Sequence, residues 1–359
     1  MRYEGIDILR ILAMGFIVVL HLLGHGGVLS AVEDSSIEFK IAYFFETVCY
    51  CGVAIFGIIT GFVCYSTKVK KRRWEKFIGL WVEVVFYNLI ITFLCFYLTN
   101  SAFRVNDIIK CFFPIAERTY WYFTSYFLLF LCMPSINHNI CHNDEKKDIS
   151  LLFALTMLLY YSHKITGMFA LAMLLQLYVV GALLKKYDIA SKTRYKQIII
   201  VYLIMLLTTY TYTILVKPIN NSLGGLLLRY DSPLIISMGI CITLLFIKFK
   251  NIPFIMRYIS KFGVNAFAVY LINDNPLFRT VFIKDRFSDI AINSLELVYV
   301  VMLFSIFFTA LSIVVDRWRN ALFSIIGIEL LVKVVCDYKD KTIDTLYKYI
   351  LGNKNIKER

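Results

Sequence analysis

The sequence predicts an all-α fold, a polytopic integral membrane helix bundle with about ten transmembrane helices and both termini cytoplasmic. Three observations predict it: a composition too apolar for an aqueous core, a series of apolar stretches long enough to cross a bilayer, and loop charges that alternate along the chain. Of the 359 residues, 59% are apolar, 16% aromatic and 18% charged, and the mean hydropathy is +0.69. A soluble domain is typically about 45–50% apolar and about 25% charged. A secreted domain behind a signal peptide and a soluble metalloenzyme are therefore excluded. The formal charge of +13 does not imply nucleic acid, because Lys and Arg of a membrane protein collect on its cytoplasmic loops.

About 20 apolar residues cover the hydrocarbon core. By that ruler the spans lie at approximately 6–29, 44–66, 77–99, 119–137, 149–162, 167–184, 197–216, 233–248, 263–283 and 290–314. The fifth and eighth are short, as expected of tilted, broken or re-entrant segments. Loop charge tests the count independently. Lys68, Lys70, Lys71, Arg72, Arg73 and Lys76 follow the second span, and Lys185, Lys186, Lys192, Arg194 and Lys196 the sixth. Lys248, Lys250, Arg257 and Lys261 follow the eighth, and Arg317 and Arg319 the tenth. Opposite loops are acidic or balanced, with Glu33, Asp34 and Glu38 after the first and Lys284, Asp285, Arg286 and Asp289 after the ninth. The membrane domain is expected at 1–315. The tail at 316–359 is amphipathic and then polar, as expected of a segment on the inner membrane surface. The nine cysteines lie mostly in apolar stretches without paired CxxC spacing and read as small core residues.

Ionisable groups inside a membrane are costly and point to function. The first span holds Arg10 and His21. At 100° and 1.5 Å per residue, eleven steps return to within ~20° of the same face, ~16 Å along the axis. One helix thus aims a permanent cation and an imidazole into one cavity. Arg10 also lies three residues after Asp7, in reach of an ion pair. His25 follows His21 by one turn, but no third ligand accompanies them, so no metal is expected. The Gly52 to Phe62 segment carries small residues that permit close helix approach, and the basic run after it suits a phosphate-bearing ligand. Tyr120 to Tyr126 opens the fourth span, which Pro134 and Asn137 are expected to end. The ninth is interrupted by Asn273-Asp274-Asn275-Pro276, with Arg279 one turn on. Polar residues and a proline at this depth read as a cavity wall.

Together these segments resemble the acyltransferase 3 family of integral membrane acyltransferases, bacterial members of which commonly acetylate cell-surface polysaccharides. The resemblance covers most of the chain. It rests on Arg10-x10-His21, on Gly57-x-x-Thr60-Gly61-Phe62 with the basic residues after it, on Tyr120-Trp121-Tyr122-Phe123 to Asn137, and on Tyr270-Leu271-Ile272. Two positions depart from the family: Asn273 stands where many relatives have histidine, and Tyr126 where many have glutamate. The resemblance implies transfer of an acyl group, expected to be acetyl, from a cytoplasmic acyl-CoA to a hydroxyl of a surface glycan or its lipid-linked precursor, in the bacterial cytoplasmic membrane. His21 is the expected catalytic base or acyl relay, and Arg10 assists donor binding. Arg72, Arg73, Lys76, Trp121, Tyr122, Tyr126, Asn273 and Arg279 are the expected substrate-binding residues. Acetyl-CoA is a co-substrate and no bound cofactor is implied. A glycan transporter or flippase is the rival, since polar residues in a bundle also line translocation paths. The lack of detectable repeats weighs against it, as does the lack of a long external loop against a glycan polymerase.

Overall fold

A computed structural model describes residues 3–66, 74–100, 104–165, 167–249, 253–339 and 341–342, which include helices and no strands. Helix α1 (Glu4–Gly24) ends at a turn where Gly27 takes a φ of 91°, a conformation open to glycine. Helices α2 (Ile37–Cys49) and α3 (Gly52–Cys64) together occupy the second expected span. They are followed by α4 (Trp74–Thr99), α5 (Trp121–His142), α6 (Glu145–Ser162), α7 (Phe169–Lys186), α8 (Tyr195–Val216) and α9 (Pro233–Ile247). The short α10 (Ala266–Asn273) precedes the long α11 (Ser294–Ile326).

Among the described residues, six helices are long and apolar enough to cross a membrane: Glu4–Ala31, Ile37–Cys64, Trp74–Thr99, Phe169–Lys186, Tyr195–Val216 and Ser294–Ile326. The other four expected spans are helical but interrupted, shorter or more polar. Helix α6 opens on Glu145, Lys146, Lys147 and Asp148, α9 has 15 residues, and the ninth span breaks after α10. Helix α5 does not end at Pro134 and Asn137 as expected but continues to His142. Proline removes a single N–H donor. Asn137 ties the turn to its neighbours, its Nδ2 donating to the Cys64 carbonyl at 3.3 Å and its Oδ1 accepting from the Tyr178 hydroxyl at 2.9 Å. Helix α11 runs unbroken through Asp316, where the tail was expected to begin.

Contacts between loops show an up-and-down course. At one end Lys185 donates to the Tyr65 carbonyl, Lys186 pairs with Asp148, Lys248 donates to the carbonyls of Ala190 and Thr193, and Arg257 meets Glu4 at 3.4 Å. These gather the N-terminus and the loops after the second, fourth, sixth and eighth expected spans. At the other end the backbone N–H groups of Asp285 and Phe287 donate to the carbonyls of His25 and Gly26, and Asp231 pairs with His163. Among the described residues, the basic loops after the sixth and eighth expected spans therefore share one end with the N-terminus.

Helix α1 is the hub, packed against α2, α3, α9, α10 and α11. Its Met14, Ile17 and Val18 side joins an apolar core with α3, α4, α5, α7 and α10, while Ile6, Leu9 and Ala13 join a second with α2, α8, α9 and the start of α11. Helices α3 and α7 cross closely. A Cβ on Gly61 would overlap the Tyr178 carbonyl oxygen, and one on Gly181 the Ile58 carbonyl oxygen, the small-residue approach that lets backbones pack without a hydrophobic drive in lipid. On α8 and α11, Ile200, Ile204, Leu207, Met302, Ile306 and Phe307 are exposed, a surface suited to lipid rather than water.

Candidate active site

Arg10, Met14, Ile17 and His21 form one stripe along α1, and the last three line a cavity of about 30 Å³. Val53 and Phe56 of α3, Trp121 and Tyr122 at the start of α5, Tyr230 and Tyr270 complete its wall. Such a volume holds about one or two waters.

The His21 ring stands in the last turn of α1, 5.0 Å from the His25 ring. Its Nε2 is 3.9 Å from Asp274 Oδ1, too far for a hydrogen bond. The same Oδ1 lies 3.3 Å from Arg279 Nη1, which is 3.4 Å from His25 Nε2. Two histidines, a carboxylate and a guanidinium thus close a ring. Asn273 borders His21 through its backbone and its amide. His21 Nδ1 and Asn273 Nδ2 are buried without a hydrogen-bond partner among the described residues. Buried polar atoms are almost always paired, so these two are free to meet a ligand or water in the cavity.

The broken span positions this ring. Asn273, Asp274 and Asn275 are all buried, as expected of a cavity wall. The Asn275 Oδ1 accepts from the N–H groups of Leu277 and Phe278, and its Nδ2 donates to Asn88 Oδ1 at 3.1 Å and to the Tyr120 hydroxyl at 3.0 Å. Tyr120 in turn donates to the Leu271 carbonyl, and the Tyr122 N–H to the Tyr270 hydroxyl at 3.3 Å. The aromatic run of α5 and the polar break are locked together.

At the other end of α1, Arg10 Nη1 pairs with Asp7 Oδ1 at 2.6 Å. Asp7 is buried against Gly263, where a Cβ would lie 2.5 Å from the Asp7 carbonyl oxygen. Nearby, Asp316 accepts from Tyr87, Asn265 and Arg319, and Arg319 also meets Glu83 at 3.4 Å.

The structure brings His21, Trp121, Tyr122, Asn273 and Arg279 together. Tyr126 packs on the core beyond the cavity wall, Arg10 lies down the stripe, and Lys76 is exposed in the first turn of α4. Arg72 and Arg73 lie outside the described residues. Asp274 and Tyr230 were not among the expected site residues. Asp274 sits inside the polar run that marked the break, whereas Tyr230 lies in a loop with no motif around it.

A family model described as an acyltransferase domain matches residues 3–317. The chain belongs to the acyltransferase 3 family. Neither the comparison with curated proteins nor that with solved structures finds a match. With its membrane-crossing helices, this family member is a membrane acyltransferase, and the His21 cavity is its candidate reaction site.

Proposed function

We propose that this acyltransferase moves an acetyl group from cytoplasmic acetyl-CoA to a hydroxyl of a surface glycan or its lipid-linked precursor, in the bacterial cytoplasmic membrane. The supporting observation is the α1 stripe, which joins Arg10 at the basic end of the bundle to His21 in the cavity at the other. Coenzyme A is polyanionic and suits the basic end. Its extended arm follows the stripe and delivers the thioester carbonyl to His21.

His21 is the general base. With its proton on Nε2 facing Asp274, Nδ1 takes the proton of the acceptor hydroxyl as that oxygen attacks the thioester carbonyl. The tetrahedral intermediate collapses, the C–S bond breaks, and the thiolate receives the proton from Nδ1. The products are an O-acetyl ester and coenzyme A. The Asn273 amide and Tyr122 stand at the cavity as donors for the developing oxyanion.

His21→Ala is expected to lower label transfer from acetyl-CoA into glycan by at least about 10²-fold while the protein still inserts and unfolds cooperatively. Wild-type rates in that variant would remove His21 from the mechanism.

A further inference from the structure

The loop between α8 and α9 carries Tyr230 into the cavity wall beside Trp121. Their ring centroids are 6.3 Å apart and nearly parallel, at 26°. Tyr50, which does not line the cavity, packs on Tyr230 at 4.8 Å. The residues on either side of Tyr230 are clamped. Arg229 donates from Nε to Asp231 Oδ1 at 3.0 Å and from Nη2 to Oδ2 at 3.2 Å, and His163 Nε2 donates to Asp231 Oδ2 at 2.7 Å. Burial raises the Asp231 carboxyl, and the bonds from His163 and Arg229 overcome this and hold it below the ordinary carboxylate range. Asp231 is therefore ionised at neutral pH.

We propose that Trp121 and Tyr230 are the two walls of an acceptor slot that takes a pyranose ring, with Tyr230 held by Tyr50 and by the Arg229–Asp231–His163 clamp. This rests on the saccharide acceptor proposed above. An aromatic face is electron-rich, and the C–H face of a pyranose presents the complementary partial charge. The hydroxyls then lie around the edge of the ring, one of them towards His21 Nδ1. Stacking takes about 3.5–4 Å on each side, so the walls part slightly to about 7–8 Å. Ordinary core packing leaves rings sealed, as it does Phe77, Phe123 and Phe130, whereas Tyr50, Trp121 and Tyr230 all stay partly exposed.

Clamp and slot make Tyr230 a specificity-determining residue and His163 a positioning residue. The test is saturable binding of a panel of methyl pyranosides to the full chain in lipid nanodiscs, read by tryptophan fluorescence without any acyl donor. The chain has four tryptophans, and loss of the response in Trp121→Phe assigns it to the slot. Tyr230→Ala is expected to weaken binding about 10-fold, and Tyr230→Phe, which keeps the ring, to restore it. His163→Ala is expected to raise the acceptor KM in a transfer assay and leave the acetyl-CoA KM unchanged. Wild-type binding in Tyr230→Ala, or no binding by the wild type across the panel, overturns the slot. Binding without transfer from acetyl-CoA keeps the slot and overturns the donor reading instead.

Discussion

Nδ1 of His21 and the Asn273 amide nitrogen are the site's two buried polar atoms without a hydrogen-bond partner among the described residues. Asp274 is shared between Arg279 and the Tyr270 hydroxyl and faces Nε2 at 3.9 Å. This distance suits a carboxylate that sets the tautomer once substrate draws the ring in, since catalytic hydrogen bonds in a free enzyme are often long. Asp274→Asn keeps the shape and removes the charge that holds the Nε2 proton. It is expected to lower kcat by on the order of 10²-fold or more with little change in either KM, read from steady-state transfer. An equal rise in acceptor KM would mean that Asp274 binds substrate rather than orienting the base. Arg10 and His21 were legible in sequence because a cation and an imidazole on one apolar face stand out by phase alone. Asp274 was visible only as part of a polar run, since its pairing with Arg279 and its approach to His21 depend on how the break folds.

The break after α10 does at the level of an element what spacing does within α1. Asn275 ends one helical segment and starts the next, capping Leu277 and Phe278 while its amide reaches α4 and Tyr120. Loss of a cap costs about 0.5–2 kcal/mol, and leaving buried Asn88 and Tyr120 with fewer partners adds about 1–3 kcal/mol. Asn275→Ala is expected to lower Tm in detergent by several degrees and to reduce transfer, because the adjacent Asp274 loses its support. A variant with unchanged Tm and reduced transfer would place Asn275 in the chemistry itself. Long apolar helices such as α1, α8 and α11 were legible because burial in lipid is written directly as composition. The continuation of α5 past Pro134 was not, because it depends on Asn137 meeting Cys64 and Tyr178. Tyr230 was equally hidden: its place follows from Asp231 and His163, 68 residues apart in sequence.

Across the whole molecule, α1 joins two unlike ends. The N-terminal end collects the described basic loops and a fixed knot of Asp316, Arg319, Glu83 and Tyr87, while the far end holds the histidine ring and the aromatic cavity wall. On the proposed reaction, this separation of polar sites has the donor and the acceptor arrive from opposite sides of the bilayer. Sidedness is therefore the sharpest consequence of the fold. In sealed inside-out vesicles, whose outer surface is the cytoplasmic face, external acetyl-CoA is expected to be consumed only when saccharide is trapped inside. In right-side-out vesicles external saccharide is expected to be acetylated only when acetyl-CoA is trapped within. Efficient transfer with both substrates on one side of a sealed membrane would mean that the stripe from Arg10 to His21 is not the donor path. The basic end would then serve orientation alone.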